Sequence, residues 1–122
     1  MPLWTKCDIL DAEALTAIFL EFQPDLLLHL AARTDLKEKK RLEGYAANID
    51  GVQNVVSAAN ATGGIKRILF ASSRMVCRID YQPKSETDVC PPNLYGQSKV
   101  FTEQIIRSAS IHSEWEIGRA HV

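Results

Sequence analysis

A tyrosine and a lysine four residues apart, Tyr95 and Lys99, follow an apolar run that ends in two serines, Ser72 and Ser73. Residues four apart on a helix share a face, so the lysine ammonium can lie beside the phenol. An ammonium in that position favours the phenolate, which lets Tyr95 exchange a proton with a substrate hydroxyl near neutral pH. A serine, a tyrosine and a lysine in this layout form a proton relay suited to interconverting an alcohol and a ketone.

The segments around these residues alternate between strand and helix, which predicts a parallel sheet with crossover helices. Asp11 is the expected N-cap of the first helix, and residues 74–92 are expected to form a long loop. Ligands bind at the carboxyl ends of strands in an open parallel sheet, so we expect a site where Ser73 ends its strand. The pattern predicts the end of a strand over 2–7, strands over 25–30 and 65–72, and helices over 12–22, 42–61 and 93–109.

Composition limits the partners of the chain. With 122 residues, 46% of them hydrophobic and 24% charged, the chain is one domain or part of one. The net charge of -1 gives no electrostatic reason to expect nucleic acid or an anionic membrane as a partner. The apolar run Leu26–Leu28 is interrupted by His29 and is too short to span a membrane. Cys7, Cys77 and Cys90 lack metal-ligand spacing and follow no signal peptide, which indicates reduced thiols in the cytoplasm and no metal site.

On this order of motifs, residues 6–109 resemble the extended short-chain dehydrogenase/reductase family, the NAD-dependent epimerases and dehydratases. The resemblance implies an α/β fold, a partial Rossmann-like doubly wound parallel sheet with strands 3 to 5 and their helices. The first two strands and the C-terminal substrate part would be missing. The implied function is an NAD(P)-dependent oxidoreductase or epimerase acting on a nucleotide sugar, with NAD favoured over NADP.

The resemblance also assigns roles to the relay residues. Tyr95 would be the acid/base, and Lys99 would bind the nicotinamide ribose. Ser73 would hydrogen-bond the reacting oxygen, which leaves Ser72 as a packing residue. Hydride would pass between a sugar carbon and the nicotinamide ring.

Further cofactor contacts are implied at the ends of the strands. Asp8 would accept a hydrogen bond from the adenine amino group, and a solvated turn aspartate is the alternative for that residue. Small residues after the second strand would let the backbone approach the dinucleotide, whereas His29 beside them is a core histidine with no catalytic role. Asn48 would support the cofactor loop from the following helix. The implied cofactor-binding set is Asp8, Ile9, Leu30, Ala31, Ala32, Ala47, Asn48, Tyr95 and Lys99.

One family feature is absent from the sequence, the Gly-x-x-Gly-x-x-Gly turn that binds the pyrophosphate. We therefore interpret residues 1–110 as a partial NAD(P)-binding domain and residues 111–122 as a non-native or disordered tail. Residues 116–122 correspond to a translated sequencing-library adapter. The truncated sheet would leave an open apolar edge, so we expect the chain alone to be poorly stable, inactive and a weak binder of NAD.

Two function classes fit these features. Dehydratases of the family carry an acidic residue where this chain has Arg74 and Met75, which favours an epimerase or reductase.

Arg74 and Arg78 either meet a substrate diphosphate or are exposed loop arginines. The alternative to an enzyme is a noncatalytic dinucleotide-binding sensor or scaffold, which would be expected to lose the Tyr95 and Lys99 pair. The sequence leaves the oligomeric state open, and the resemblance implies that a homodimer of the full-length protein would form through the helices over 42–61 and 93–109.

Overall fold

Three parallel strands form a sheet in which the strands lie side by side in chain order. The computed structural model describes residues 4–109 and 115–120. The strands are β1 (Leu26–His29), β2 (Arg67–Ser73) and β3 (Trp115–Ala120). In the register, Leu28 lies opposite Leu69 on β2, and Phe70 on β2 lies opposite Ile117 on β3. The order fits the second half of a doubly wound sheet, in which strands four, five and six are consecutive neighbours.

Helices occupy the connections between these strands. Asp11 caps the first helix as predicted, because its side chain accepts a hydrogen bond of 3.1 Å from the backbone N–H of Ala14. The second helix is preceded by a 3₁₀ turn over Leu42–Tyr45, and a shorter 3₁₀ turn over Arg74–Val76 follows β2. The helices are α1 (Ala12–Phe22), α2 (Ala46–Thr62) and α3 (Leu94–Ala109). The predicted α/β fold with a parallel sheet is confirmed.

The core lies on one face of the sheet. Ile68 and Phe70 of β2 are fully buried, and they pack against side chains from all three helices. Side chains alternate across a strand, so the intervening residues point to the other face. There Leu26, Leu28 and Leu69 are 69%, 57% and 38% exposed. The helix residues of the core are Phe19, Val52, Val55, Val56, Ala58, Ala59 and Ile106.

The prediction for the start of the chain is wrong, and for the tail the disordered alternative does not hold. The described part of the predicted strand over 2–7, residues 4–7, forms no strand, since no neighbouring strand offers it a hydrogen-bonding partner. At the other end, residues 115–120 are not disordered, because they pair with the free edge of β2. Trp115 and Ile117 of β3 also pack against the core. The adapter origin of 116–122 stays a prediction, and 110–114 lie outside the described residues.

Candidate functional site

Lys99 joins α3 to the carboxyl end of β2. Its Nζ donates a hydrogen bond of 3.1 Å to the carbonyl oxygen of Ala71, two residues before Ser73. The side chain is buried, with 5% of the residue exposed. Burial lowers the pKa of Lys99, and the negative charge of Glu103 partly opposes that shift. The ammonium is therefore held next to the strand end at which the sequence predicts a site.

Tyr95 lies one turn before Lys99 and is held against a second tyrosine. Its ring meets the ring of Tyr45 edge to face, with centroids 6.0 Å apart. Tyr45 is fully buried, and its hydroxyl donates a hydrogen bond of 2.8 Å to the carbonyl oxygen of Asp35. The guanidinium of Arg33 lies 4.9 Å from the centre of the Tyr45 ring. This stack limits the sideways movement of the Tyr95 ring.

The two adjacent serines have different partners. Ser73 ends β2 and is 2% exposed, and its hydroxyl oxygen accepts a hydrogen bond of 3.1 Å from the N–H of Met75. Ser72 donates a hydrogen bond of 2.6 Å to the carboxylate of Glu103 on α3. Ser72 therefore serves the contact between strand and helix, which agrees with its predicted packing role, while Ser73 lies at the strand end.

Glu103 is a buried carboxylate with several cationic and hydroxyl donors. It is 1% exposed, and Arg119 on β3 binds both carboxylate oxygens over 2.9 and 2.7 Å. Arg107 lies 3.2 Å away on the same helix. Burial acts to raise the pKa of Glu103, but hydrogen bonds from Arg119 and Ser72 and the charges of Arg119 and Arg107 together hold it below its usual value. Sequence reasoning missed this network, since its members are far apart in the chain.

Asn48 connects the loop after β1 to α3. The buried amide accepts from the N–H of Arg33 over 2.7 Å and donates to its carbonyl oxygen over 3.0 Å. It also donates to the hydroxyl of Ser98 over 3.0 Å, and Ser98 donates to the carbonyl oxygen of Tyr95 over 2.6 Å. Asn48 thus holds the segment that follows Ala32, and its role in supporting a cofactor loop stays a prediction. Ser98 was not predicted, although a polar residue in the middle of a helix is a signal for such a contact.

Asp8 and Ile9 lie before α1, and Ile9 contacts α2 one to two turns beyond Asn48. The carboxylate of Asp8 accepts from the N–H of Leu10 over 2.9 Å, which makes it an exposed turn aspartate. Asn54 of α2 donates to the carbonyl oxygen of Ile9 over 3.0 Å, and the Ile9 side chain faces Gly51. Binding of adenine by Asp8 stays a prediction.

The residues that follow β1 include two alanines, Ala31 and Ala32. Leu30 and Ala31 are exposed directly after the strand, and Ala32 and Ala47 are half-buried. Alanines leave the backbone open to close approach, and binding of a dinucleotide by these residues stays a prediction. Within the described residues, no group of three His, Cys, Asp or Glu side chains could hold a metal ion. The helices in the same part of the chain include none that is long and apolar enough to cross a membrane.

His29 lies in the core, whereas the two loop arginines lie on the segment after β2. His29 packs edge to face on Phe70, with ring centroids 5.8 Å apart. Burial, with a smaller contribution from the charge of Lys99, lowers the pKa of His29 to about 4, so the imidazole is neutral at pH 7. Arg74 is exposed on its 3₁₀ turn, and Arg78 stacks on the ring of Tyr81 at 5.7 Å. The predicted core role of His29 agrees with this arrangement.

Comparison with known proteins identifies relatives over most of the chain. A model of the NAD dependent epimerase/dehydratase family matches residues 3–117. The chain is 31% identical over 108 residues to the methionine adenosyltransferase 2 subunit beta of Pongo abelii, covering 86% of this chain and 32% of that protein. It is 30% identical over 117 residues to the UDP-glucose 4-epimerase of Bacillus subtilis, covering 92% and 34%. The chain spans about a third of the length of these curated relatives.

Solved structures agree with these matches. The UDP-glucose 4-epimerase of Stenotrophomonas maltophila, solved with bound NAD and formylated UDP-arabinopyranose, superimposes with a TM-score of 0.81 at 26% identity. The match covers 97% of this chain and 37% of that one. The likeness extends over both the strands and the helices that carry the candidate site.

Proposed function

Because the chain belongs to the NAD-dependent epimerase/dehydratase family, we propose that it forms the catalytic part of an NAD-dependent nucleotide-sugar epimerase. The observation that carries this proposal is the hydrogen bond from Lys99 to Ala71. It holds the face of α3 that bears Tyr95 and Lys99 against the strand end that bears Ser73. A proton relay needs these three side chains at one place, and the sequence alone could supply only their types and spacing.

The proposed roles follow from the chemistry of each side chain. Tyr95 removes a proton from a sugar hydroxyl and later returns it to the carbonyl oxygen. Lys99 stabilises the phenolate by its charge, and Ser73 donates a hydrogen bond to the reacting oxygen. Bound NAD would supply the hydride acceptor and donor for the sugar carbon.

The cofactor would lie along the carboxyl ends of the strands. Leu30, Ala31, Ala32 and Ala47 would line its path, Asn48 would hold the loop on which it rests, and Lys99 and Tyr95 would contact the nicotinamide ribose. Asp8 and Ile9 would receive the adenine. NAD is favoured over NADP because the Stenotrophomonas epimerase contains NAD.

The substrate class is supported by the names of the relatives. Two of the proteins compared act on or bind UDP sugars according to their names. A nucleotide sugar is therefore the proposed substrate, and the complete protein would act in the cytoplasm, as a homodimer. Because this chain spans about a third of its relatives, we expect it to be inactive alone.

A chimera tests the proposed relay without requiring activity of the isolated chain. Residues 4–109 would replace the matching segment of the Bacillus subtilis UDP-glucose 4-epimerase, and 4-epimerisation of UDP-glucose would be measured. We expect Tyr95→Phe to lower turnover by about a hundredfold or more, the usual size of an acid/base contribution. The matched control is Tyr81→Phe in the loop before α3, which should keep turnover.

The two serines supply a second test in the same chimera. Ser73→Ala should lower turnover, whereas Ser72→Ala should mainly lower stability. Full turnover in Ser73→Ala together with loss in Ser72→Ala would show that the relay has been assigned to the wrong serine.

A noncatalytic dinucleotide-binding sensor or scaffold is the second candidate. It is favoured by the Pongo abelii relative, whose name describes a subunit of an adenosyltransferase and not an epimerase. The presence of Ser73, Tyr95 and Lys99 supports the enzyme instead. A folded chimera that binds NAD without epimerising UDP-glucose would favour the sensor.

A further inference from the structure

Cys77 and Cys90 face each other at the base of the loop between β2 and α3. They form an isolated parallel bridge, held by backbone hydrogen bonds of 2.8 Å from Cys90 to Val76 and from Arg78 to Cys90. Bridged backbones lie about 4.8 Å apart, and directly paired residues project to the same side. This separation falls within the range of about 4.4 to 6.8 Å between the Cα atoms of disulfide-bonded cysteines.

Both thiols are free and half-buried, and the loop between them is already closed by other contacts. The Cys77 thiol donates a weak hydrogen bond of 3.6 Å to the carbonyl oxygen of Asp88. The Asp88 carboxylate accepts from the Tyr81 hydroxyl and from the N–H of Lys84. The backbone therefore holds the two cysteines side by side before any bond forms.

We propose that Cys77 and Cys90 are a site of reversible disulfide formation, with a low-molecular-weight disulfide such as glutathione disulfide as the oxidant. One cysteine thiolate attacks glutathione disulfide, which forms a mixed disulfide and releases one glutathione thiolate. The second cysteine thiolate attacks the protein sulfur of the mixed disulfide and releases the other. The two cysteines lose two electrons and two protons, and glutathione disulfide is reduced to two glutathione molecules.

The third cysteine is less suited to this reaction. Burial, together with the charges of Asp11 and Asp8, raises the pKa of the Cys7 thiol. A smaller thiolate fraction slows attack on a disulfide. Cys7 also lies before α1, away from the loop that joins β2 to α3. We expect it to stay reduced under conditions that oxidise the pair.

The disulfide would lie beside the start of α3. A methyl group on Gly96 would overlap the carbonyl oxygen of Met75 and stand 3.1 Å from the Cβ of Pro91, so the segments beside Cys77 and Cys90 lie close to this helix next to Tyr95. Oxidation would fix the loop against the helix. Any effect of this on turnover rests on the proposed function, whereas the formation of the disulfide does not.

The test is the equilibrium between the 122-residue chain and glutathione redox buffers, with non-reducing peptide mapping by mass spectrometry. We expect a peptide linked through Cys77 and Cys90, reversed by dithiothreitol, and the same result in Cys7→Ser. Close cysteines can also pair in an unfolded chain, so the equilibrium constant is measured in buffer with trimethylamine N-oxide, which raises the folded population, and in guanidinium chloride. We expect the constant in buffer to exceed the constant in denaturant by about tenfold or more.

A backbone variant tests whether the bridge is responsible. Arg78→Pro removes the N–H that bonds to Cys90 and should reduce the ratio of the two constants towards one, while Arg78→Ala should preserve it. Equal constants for the unmodified chain in buffer and in denaturant, or glutathionylation of single cysteines without the cross-link, would overturn the proposal.

Discussion

Asn48 of α2 and Ser98 of α3 share a hydrogen bond of 3.0 Å across 50 residues of sequence. The same amide bonds both backbone groups of Arg33 in the loop after β1. One side chain therefore joins the proposed cofactor loop to the helix that bears Tyr95. A change at Asn48 should affect both at once.

Asn48→Ala removes three hydrogen bonds and leaves buried polar groups of Arg33 and Ser98 without these partners. We expect a loss of about 2 to 3 kcal/mol in the free energy of unfolding. Urea titration in trimethylamine N-oxide measures it, because that osmolyte strengthens burial and raises the folded population. The control is Asn60→Ala near the end of the same helix, where the side chain is exposed. Equal effects of the two changes would contradict a linking role for Asn48.

Gly96→Ala tests the close approach of α3 to the turn after β2. The added methyl group would overlap the Met75 carbonyl oxygen, a backbone atom that cannot move without shifting the turn. We expect a loss of about 1 to 3 kcal/mol, typical of overpacking. Gly64→Ala is the comparison, since its methyl group would meet only the Gln23 side chain at 3.9 Å. The prediction fails if thermal unfolding midpoints of both variants equal that of the unmodified chain.

Glu103→Gln should destabilise the chain at pH 7 by about 2 kcal/mol, because the half-buried Arg119 guanidinium loses its charged partner. The pKa of Glu103 is lowered in the folded state, so its ionised form contributes stability above the unfolded value of about 4.3. That contribution disappears as the pH falls through the folded pKa. The difference between Glu103→Gln and the unmodified chain should therefore shrink in acid.

Unfolding measured at several pH values checks this dependence. The exposed Glu21→Gln on α1 is the control and should differ little from the unmodified chain at any pH. A Glu103→Gln difference that stays constant from neutral pH into acid would rule out the charge as its cause.

As the pH is lowered, protonation of His29 should reduce the free energy of unfolding at a higher pH than protonation of Glu103 does. Its pKa of about 4 lies below the unfolded value of about 6.5, so the unfolded chain binds the proton more tightly between these values. Stability should be complete above pH 6.5 and decrease by up to about 3 kcal/mol towards pH 4. His29→Gln should lack this part of the slope. Titration of the imidazole by NMR would contradict the prediction if its midpoint lay near 6.5.

The exposed leucines on the sheet should cause self-association of the isolated chain. Leu28 is 57% exposed on β1, whose outer edge has no neighbouring strand among the described residues. An open apolar edge favours pairing with a second chain. Leu28→Lys should raise the monomer fraction seen by size-exclusion chromatography with light scattering. Leu36→Lys changes an exposed loop leucine and should not.

The same preparation tests the expected low stability and weak NAD binding of the chain alone. We expect poor stability and weak or undetectable NAD binding by calorimetry. A monomer that unfolds cooperatively and binds NAD with micromolar affinity would show this expectation to be wrong.

Local patterns in the sequence predicted most of the elements. The α1 cap at Asp11 and the helical spacing of Tyr95 and Lys99 depend on nearby residues, so they could be predicted from short windows. The strand over 115–120 could not, because it exists through pairing with β2. The strand predicted over 2–7 was wrong for the same reason, because a strand needs a hydrogen-bonding neighbour and its own residues do not specify one.

The sequence also predicted only part of the candidate site. Residue types and spacing indicated Ser73, Tyr95 and Lys99, but not the side chains that hold them. Tyr45 packs on Tyr95 across 50 residues, and Arg119 reaches Glu103 from another element. Contacts of this kind follow from the packing of whole elements, and no short motif encodes them.

The central position of β2 has a consequence for hydrogen exchange. β2 has a parallel neighbour on each side, whereas β1 and β3 each have one among the described residues. In deuterium oxide, the amide hydrogens of residues 68–72 should therefore be the last in the sheet to be replaced. Ser73 is the last residue of this strand, so deuterium uptake by these amides measures local unfolding of the strand that carries the serine of the proposed relay.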